Sequence, residues 1–262
     1  MKKMILLTND DGIYAEGIQL LGQALFESGA GYDLAIVAPN HEQSAVGHAI
    51  TMHRPLRVHK ARFLHNPDLV GWSVNGTPSD CVKLAVEAIL PQKPDLVISG
   101  INRGGNLGTD VIYSGTVSAA VEGIILGIPA VAVSLMEGGT EKDFKYAAAF
   151  VRDLVPRLLE NSLPQGTILN INVPSDSEKI KGIRITRLGK RQYMNSFDRR
   201  IDPRGEVYYW LAGELVEGDE PEDSDVQAML DGYISITPVH FDLTNYDYLP
   251  ELEKLLHDLL QK

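Results

Sequence analysis

The feature that most limits what this chain can fold into is an alternation. Met4-Ile5-Leu6-Leu7, Leu34-Ala35-Ile36-Val37, Leu96-Val97-Ile98 and Ala130-Val131-Ala132-Val133 are short runs with no polar residue, and Ile168 to Val173 is a fifth interrupted only by Asn170 and Asn172. Runs that are apolar throughout, not at every second position, mark strands buried on both faces. Between them lie helical patterns. Ile18, Leu21 and Leu25 share one helical face, and Ser79 and Asp80 offer N-caps for a helix through Leu84, Val86 and Ile89. Val117 to Leu126 is a helix of small residues, and Phe144 to Leu159 an amphipathic one with a candidate kink at Pro156. Strand-helix alternation predicts an α/β fold: a mostly parallel sheet with helices on both faces. Such sheets bind ligands beyond the carboxyl ends of their strands, so the chemistry is sought in the loops that follow the runs.

The pattern changes after residue 178. Residues 179–204 hold nine bases against two acids. Tyr208 to Leu211 is strand-like, Gly218 to Asp225 a polar acidic loop, Tyr233 to Pro238 an alternating strand, and Leu249 to Leu260 a terminal helix with an apolar face. With no internal repeat and no low-complexity linker, the expected organisation is a catalytic core over 1–178. Residues 179–262 form a C-terminal extension of hairpin, acidic loop and helix that is not an independent domain.

Charge sharpens this division. The chain of 262 residues has a net charge of -11. Residues 1–205 carry 22 bases and 21 acids, whereas 206–262 carry 2 and 14. An acidic chain is a poor nucleic-acid binder, and the basic run 179–204 reads as a solvated face or a subunit contact before an RNA-binding surface. The single cysteine, Cys81, excludes an internal disulfide framework and any CxxC metal site. No run approaches the roughly 20 apolar residues of a membrane span, and Met4 to Leu7 is too short for a signal sequence. A cytoplasmic protein without membrane partners is expected.

Five strand-end segments carry candidate chemistry. Thr8-Asn9-Asp10-Asp11-Gly12 follows the first run directly. Adjacent carboxylates there need a cation, hydrogen bonds or a raised pKa, and hard oxygen ligands suit Mg²⁺, Mn²⁺ or Ca²⁺; a solvated turn with either Asp capping the next helix is the plain alternative. The second segment, Asn40 to Gly47, holds His41, Gln43 and Ser44, with His48 beyond; it reads first as a surface loop, and as the alternative its hydroxyl completes a hard-metal shell. The third and most specific is Ser99-Gly100-Ile101-Asn102-Arg103-Gly104-Gly105-Asn106-Leu107-Gly108-Thr109-Asp110. Its glycines allow close backbone approach and its amides an anion-binding nest. The fourth, Tyr113-Ser114-Gly115-Thr116, opens a helix whose N-terminal N–H groups favour anions, although Ser114 is equally read as a simple cap. The fifth, Gly76-Thr77-Pro78-Ser79-Asp80, reads first as a cap.

Absences narrow the class. There is no GxxxxGK[ST], HExxH or GxSxG, and Gly104-Gly105 with Gly108 is not GxGxxG spacing. A phosphatase using an Asp nucleophile would want Asp-x-Asp; Asp10 is followed at plus two by Gly12, which counts against it. What remains is a hard-metal site beside an oxyanion pocket, for which a phosphate ester hydrolysed by metal-activated water is the natural substrate.

These motifs together, from Thr8-Asn9-Asp10-Asp11-Gly12-Ile13 through the serine loop, Gly76 to Cys81, Ser99 to Asn106 and Tyr113 to Thr116, and on to Tyr209-Trp210-Leu211-Ala212-Gly213 and Gly232 to Pro238, resemble the survival protein SurE family over most of the chain. The resemblance implies a Rossmann-like core, a divalent-metal-dependent 5′-nucleotidase activity on nucleoside monophosphates, and a homodimer or homotetramer assembled through the C-terminal extension. It assigns one Mn²⁺ or Mg²⁺ per subunit (Ca²⁺ in a crystal) to Asp10, Asp11, Ser44 and Asn102. It puts Asn9, Gly105, Asn106, Ser114, Gly115 and Thr116 on the phosphate side. Asp10, Asp11 and Asn106 are the expected catalytic groups, Asp10 or Asp11 being the candidate to take the water's proton. An exopolyphosphatase or broader phosphomonoesterase at the same site, and a non-catalytic nucleotide sensor, are the alternatives.

Overall fold

A computed structural model describes residues 2–63, 69–161, 163–195, 197–216 and 218–260. The first apolar run is β1 (Met4–Thr8) and the second is β2 (Asp33–Pro39), joined by α1 (Glu16–Phe26). β3 (Val58–Ala61) and β4 (Val70–Val74) follow, then α2 (Pro78–Leu84), β5 (Leu96–Arg103), α3 (Gly115–Ile125), β6 (Ala130–Leu135), α4 (Glu141–Glu160) and β7 (Thr167–Val173). The C-terminal region adds β8 (Ile183–Ile185), β9 (Tyr193–Met194), β10 (Phe197–Ile201), β11 (Val207–Leu211), β12 (Glu214–Leu215), α5 (Asp225–Leu230) and β13 (Ile234–His240).

Nine strands form one sheet in the order β3-β4-β2-β1-β5-β6-β7-β13-β8. Pairing is parallel from β4 through β7, and the central strands β1, β5, β6 and β7 are buried almost end to end. The antiparallel pairs are β3 with β4 at one edge and β13 with β7 near the other. Helices cover both faces. Ile18, Leu21 and Leu25 of α1 and Phe144, Val151 and Val155 of α4 share one core with Ile5, Leu7 and Ile98. Cys81 and Val82 of α2 and Val117 and Ala120 of α3 share the other with Leu6, Val37 and Val97. The chain leaves β1 toward β2 on one side and β5 toward β6 on the other. The carboxyl ends of β1 and β5 therefore meet at the point where strand order reverses, which is where such sheets open a crevice.

Several boundaries differ from the sequence expectation. The helix expected to be capped by Ser79 or Asp80 is capped by Thr77, whose hydroxyl accepts the Asp80 N–H at 3.1 Å while Asp80 accepts the Thr77 N–H at 2.9 Å. Proline at N1 suits this cap, and after Leu84 the helix widens into a π-turn over Ala85–Ile89. β5 runs past Ser99-Gly100 to Arg103, because pairing with β6 resumes at Asn102 and Ser134 after a register shift. α4 continues through Pro156. The C-terminal helix is two pieces, Leu249–Leu255 and His257–Leu260. β8 and β13 enter the main sheet, so the region after residue 178 completes the core fold as well as extending it. No helix among the described residues is long and apolar enough to cross a membrane.

Candidate active site

Past Thr8 the chain turns through Asn9-Asp10-Asp11-Gly12. Asn9 shapes the turn: its side-chain amide donates to the Gly12 carbonyl at 2.9 Å and its Oδ1 accepts the Gly12 N–H at 3.2 Å. Gly12 has a φ of 104°, which an L side chain would strain. The buried Asp10 faces the start of α3. Its Oδ1 accepts the Thr116 hydroxyl at 2.5 Å and its Oδ2 the Thr116 N–H at 3.0 Å. Gly115 permits this approach, since a Cβ there would lie 2.9 Å from Asp10 Cβ. Asp11 turns the other way, its Oδ2 accepting the Arg103 N–H at 3.0 Å. The Arg103 guanidinium points outward, pairing with Glu16 at 2.8 Å and lying 4.7 Å over the Phe144 ring.

Two adjacent carboxylates are thus held where their charge is disfavoured. Burial raises the Asp10 carboxyl above the ordinary range against the two bonds from Thr116. Burial pushes Asp11 up to about 6; the Arg103 N–H draws it down and the charge of Asp10 drives it further up.

The serine loop is brought against this turn. The Gln43 N–H donates to the Asp10 carbonyl at 2.7 Å, and the Gly47 N–H to the Tyr113 carbonyl at 3.0 Å. Ser44 is exposed and its hydroxyl donates to Glu42 Oε1 at 2.5 Å. Farther along, His48 Nε2 lies 2.8 Å from the buried Glu122 on α3, which anchors the loop's far end. The His41 ring lies in hydrogen-bonding distance of the Gln43 side chain, at 3.0 Å.

Asn102, at the end of β5, donates its amide to the Gly104 carbonyl at 2.7 Å, leaving its Oδ1 without a partner among the described residues. Asn106 is fixed on three sides. Its N–H donates to Asn172 Oδ1 at 2.8 Å, its carbonyl accepts from the Asn170 and Asn172 amides at 2.8 and 3.0 Å, and its own amide donates to Ser134 Oγ at 2.7 Å. Gly105 is needed beside it, as a Cβ would stand 2.3 Å from Met136 Sδ. Ser114 is the N-cap of α3, its hydroxyl accepting the Val117 N–H at 3.1 Å. Among the described residues no acceptor faces the Gly115 N–H.

The donor set answers the question of a metal. Among the described residues no three His, Cys, Asp or Glu side chains are grouped to hold one. Two carboxylates with raised pKa, the open oxygen of Asn102 and a serine hydroxyl one residue from the Gln43–Asp10 backbone contact are instead oxygen donors of the kind that a hard divalent cation takes. A cation would offset the repulsion that the protein alone leaves in place. Two surface hollows, of about 310 Å³ beside Tyr14 and Phe63 and about 870 Å³ beside Arg184 and Asp223, include none of these residues. The site is defined by its loops.

Sequence reading passed over Ser134, Asn170, Asn172, Arg103 and Asp225. The first three had a legible signal: polar side chains inside apolar strands, with Asn170 and Asn172 two apart and hence on one face. Arg103 acts through its backbone N–H, which no side-chain pattern reveals.

Comparison with known proteins gives one answer. The family model described as survival protein SurE matches residues 5–195. The 5′-nucleotidase SurE of Pelotomaculum thermopropionicum is 58% identical over 255 residues, covering 96% of this chain and 95% of that protein. That of Carboxydothermus hydrogenoformans is 57% identical over 251 residues, covering 95% and 94%. The crystal structure of the SurE protein from Aquifex aeolicus superposes with a TM-score of 0.80 at 42% identity, covering 96% of this chain and 99% of that one.

Proposed function

The chain belongs to the survival protein SurE family, and on that premise we infer that it is a 5′-nucleotidase, a phosphoric monoester hydrolase that splits nucleoside 5′-monophosphates into nucleoside and phosphate. One observation carries the assignment to this site. The N-terminus of α3 is drawn against Asp10 by both hydrogen bonds of Thr116, so a ligand at the paired carboxylates also meets the positive end of a helix.

In the proposed arrangement Asp10, Asp11, Asn102 and Ser44 hold one divalent cation, Mn²⁺ or Mg²⁺. Bound there, it would polarise the phosphoryl oxygens and lower the pKa of a coordinated water. The residues do the rest. Thr116 fixes the rotamer of Asp10, and the Arg103 N–H fixes that of Asp11. The Gly115 N–H and the turn at Ser114 point donors at the phosphate, while Asn106, held by Asn170, Asn172 and Ser134, contributes from the opposite loop. Gly105 gives the phosphate access to backbone amides. Asn9 serves by shaping the turn, and Asp10 or Asp11 accepts the attacking water's proton.

The division of the chain is one of labour. Residues 1–178 carry the ligands, and residues 179–262 the proposed self-association as a homodimer or homotetramer. Support for the second comes from the β10–β11 hairpin, where Phe197, Trp210 and Leu211 are 67%, 59% and 75% exposed. A lone two-stranded ribbon is marginal in water and gains from being covered. The buried, unpaired thiol of Cys81 fits a reducing compartment, which we take to be the cytoplasm.

Phosphate release from a nucleotide panel, with inorganic polyphosphate as a further substrate, tests the reading. Release that needs Mn²⁺ or Mg²⁺, stops with EDTA and falls by orders of magnitude in Asp10→Asn is expected. EDTA-insensitive turnover would remove the metal mechanism, and tight nucleotide binding without phosphate release would make the protein a sensor.

A further inference from the structure

Behind the Gly-rich loop sits a carboxylate that no catalytic motif contains. Asp225 is fully buried in the first turn of α5. Its Oδ2 accepts the Gly108 N–H at 2.9 Å, and its Oδ1 accepts the Gly189 N–H at 2.8 Å and the Val226 N–H at 2.9 Å. Its own helix does not require it as a cap, because the Ser224 hydroxyl already accepts the Gln227 N–H at 3.0 Å. No Lys or Arg among the described residues pairs with it. Burial raises its carboxyl above the ordinary range despite the three amide bonds. A buried charge resting on backbone N–H groups alone is costly to keep, and here two of its three donors belong to other loops.

The grip falls at a sensitive place. Gly108 has a φ of 52°, and a Cβ on it would lie 2.8 Å from the Gly189 carbonyl oxygen, so the two loops meet at backbone distance. Asn106 lies two residues before Gly108. After it, the 3-10 turn Gly108–Ile112 leads directly to Ser114 and the start of α3. The same seam is closed by the Thr109 hydroxyl donating to the Arg191 carbonyl at 2.6 Å, the Arg191–Asp110 ion pair at 2.9 Å, and the Tyr193 hydroxyl donating to Asp110 at 2.7 Å. The loop is therefore held from inside by β7 at Asn106 and from outside by the C-terminal region at Gly108.

We propose that Asp225 is a positioning residue for the hydrolysis: by fixing Gly108 it orients Asn106 and the Ser114 turn toward the substrate's phosphate without touching the substrate. The C-terminal region thereby belongs to the catalytic apparatus of the same chain. The inference rests on the nucleotidase reading above.

A mutant cycle tests it. kcat and KM for a nucleoside monophosphate with Mn²⁺, and the melting temperature, are measured for the parent, Asp225→Asn, Asn106→Ala and the double variant. Asparagine keeps the size of Asp225 but replaces one accepting oxygen with a donor. Asp225→Asn is expected to lower kcat about tenfold or more, as small displacements of catalytic groups do, with KM little changed. In the Asn106→Ala background it should lower kcat little further while still lowering the melting temperature. Parent-like kcat in Asp225→Asn or in Asn106→Ala, or losses that multiply in the double variant, would overturn the proposal. Failure of the nucleotidase reading shows separately, as absence of phosphate release from the parent. Should Asp225→Asn not fold, Thr109→Val opens the same seam one bond away, and the same cycle applies: sub-multiplicative losses support the positioning role and multiplicative ones overturn it.

Discussion

At Gly115 the backbone and the chemistry compete for the same space. The helix start can reach Asp10 only because no Cβ stands between them, the gap being 2.9 Å to Asp10 Cβ. Gly115→Ala must push the Thr116 amide and hydroxyl off the carboxylate, and kcat is expected to fall on the order of 100-fold with circular dichroism unchanged; parent-like turnover at saturating Mn²⁺ would show that the contact is dispensable. Cys81 offers a second check. Burial pushes its thiol well above the ordinary value, so it should resist a disulfide-exchange reagent in the native protein and react at once in denaturant. Legibility at this scale followed sequence distance. Asp10 and Asp11 declared themselves by type and by following a strand, and Asn102 by sitting in a glycine-rich segment. Asp225 could not, because its partner Gly108 lies 117 residues away and offers only an amide.

Among the elements, strands were legible where burial alone decides them, and boundaries were lost where a side chain decides. The apolar runs marked β1, β2 and β6 to within two residues. β5 outran its run because Ser99 and Gly100 remain in the sheet while the register slips, and α5 starts at Asp225, the last residue of the stretch that reads as an acidic loop. α4 shows what such side chains contribute. Asp143 accepts the Thr140 N–H at 2.9 Å and the Thr140 hydroxyl at 2.7 Å, and reaches across to the Ser177 N–H at 2.9 Å and hydroxyl at 2.7 Å. Burial alone would raise this carboxyl, but the four hydrogen bonds outweigh it and hold the group far below the usual carboxylate range. A carboxyl with a lowered folded-state pKa stabilises the fold fully above its unfolded value, about 3.9, and the contribution drains away as pH falls below that. Asp143→Asn is expected to cost roughly 1–3 kcal/mol at neutral pH and to flatten the acid limb of stability. Denaturant titrations at pH 7 and pH 3 check both, and an undiminished acid limb in the variant would assign the acid sensitivity elsewhere.

For the whole molecule, the charge split takes on a different meaning. The basic run and the acidic tail face each other within one chain: Arg184 pairs with Asp231 at 2.5 Å and Arg187 with Asp223 at 2.8 Å. Exposed pairs of this kind are individually weak, and these lie within the region after residue 178, drawing its acidic stretch and the end of α5 onto β8 and the segment that follows it. Self-association is therefore expected to depend on the apolar hairpin more than on charge. Trp210→Ser with Phe197→Ser should reduce the particle mass seen by light scattering, whereas raising the salt should leave it unchanged; salt-driven dissociation would return the contact to the charged residues. The position of β13 has a further consequence, for synthesis on the ribosome. This strand, made after both β7 and β8, is inserted between them and not added at an edge. Until it emerges, the nascent chain carries β7 with one side unpaired, an open template for a second copy. Gly108 likewise waits for the carboxylate that secures it. Chains halted before residue 234 are expected to aggregate and to lack turnover, so activity waits until β13 has been made.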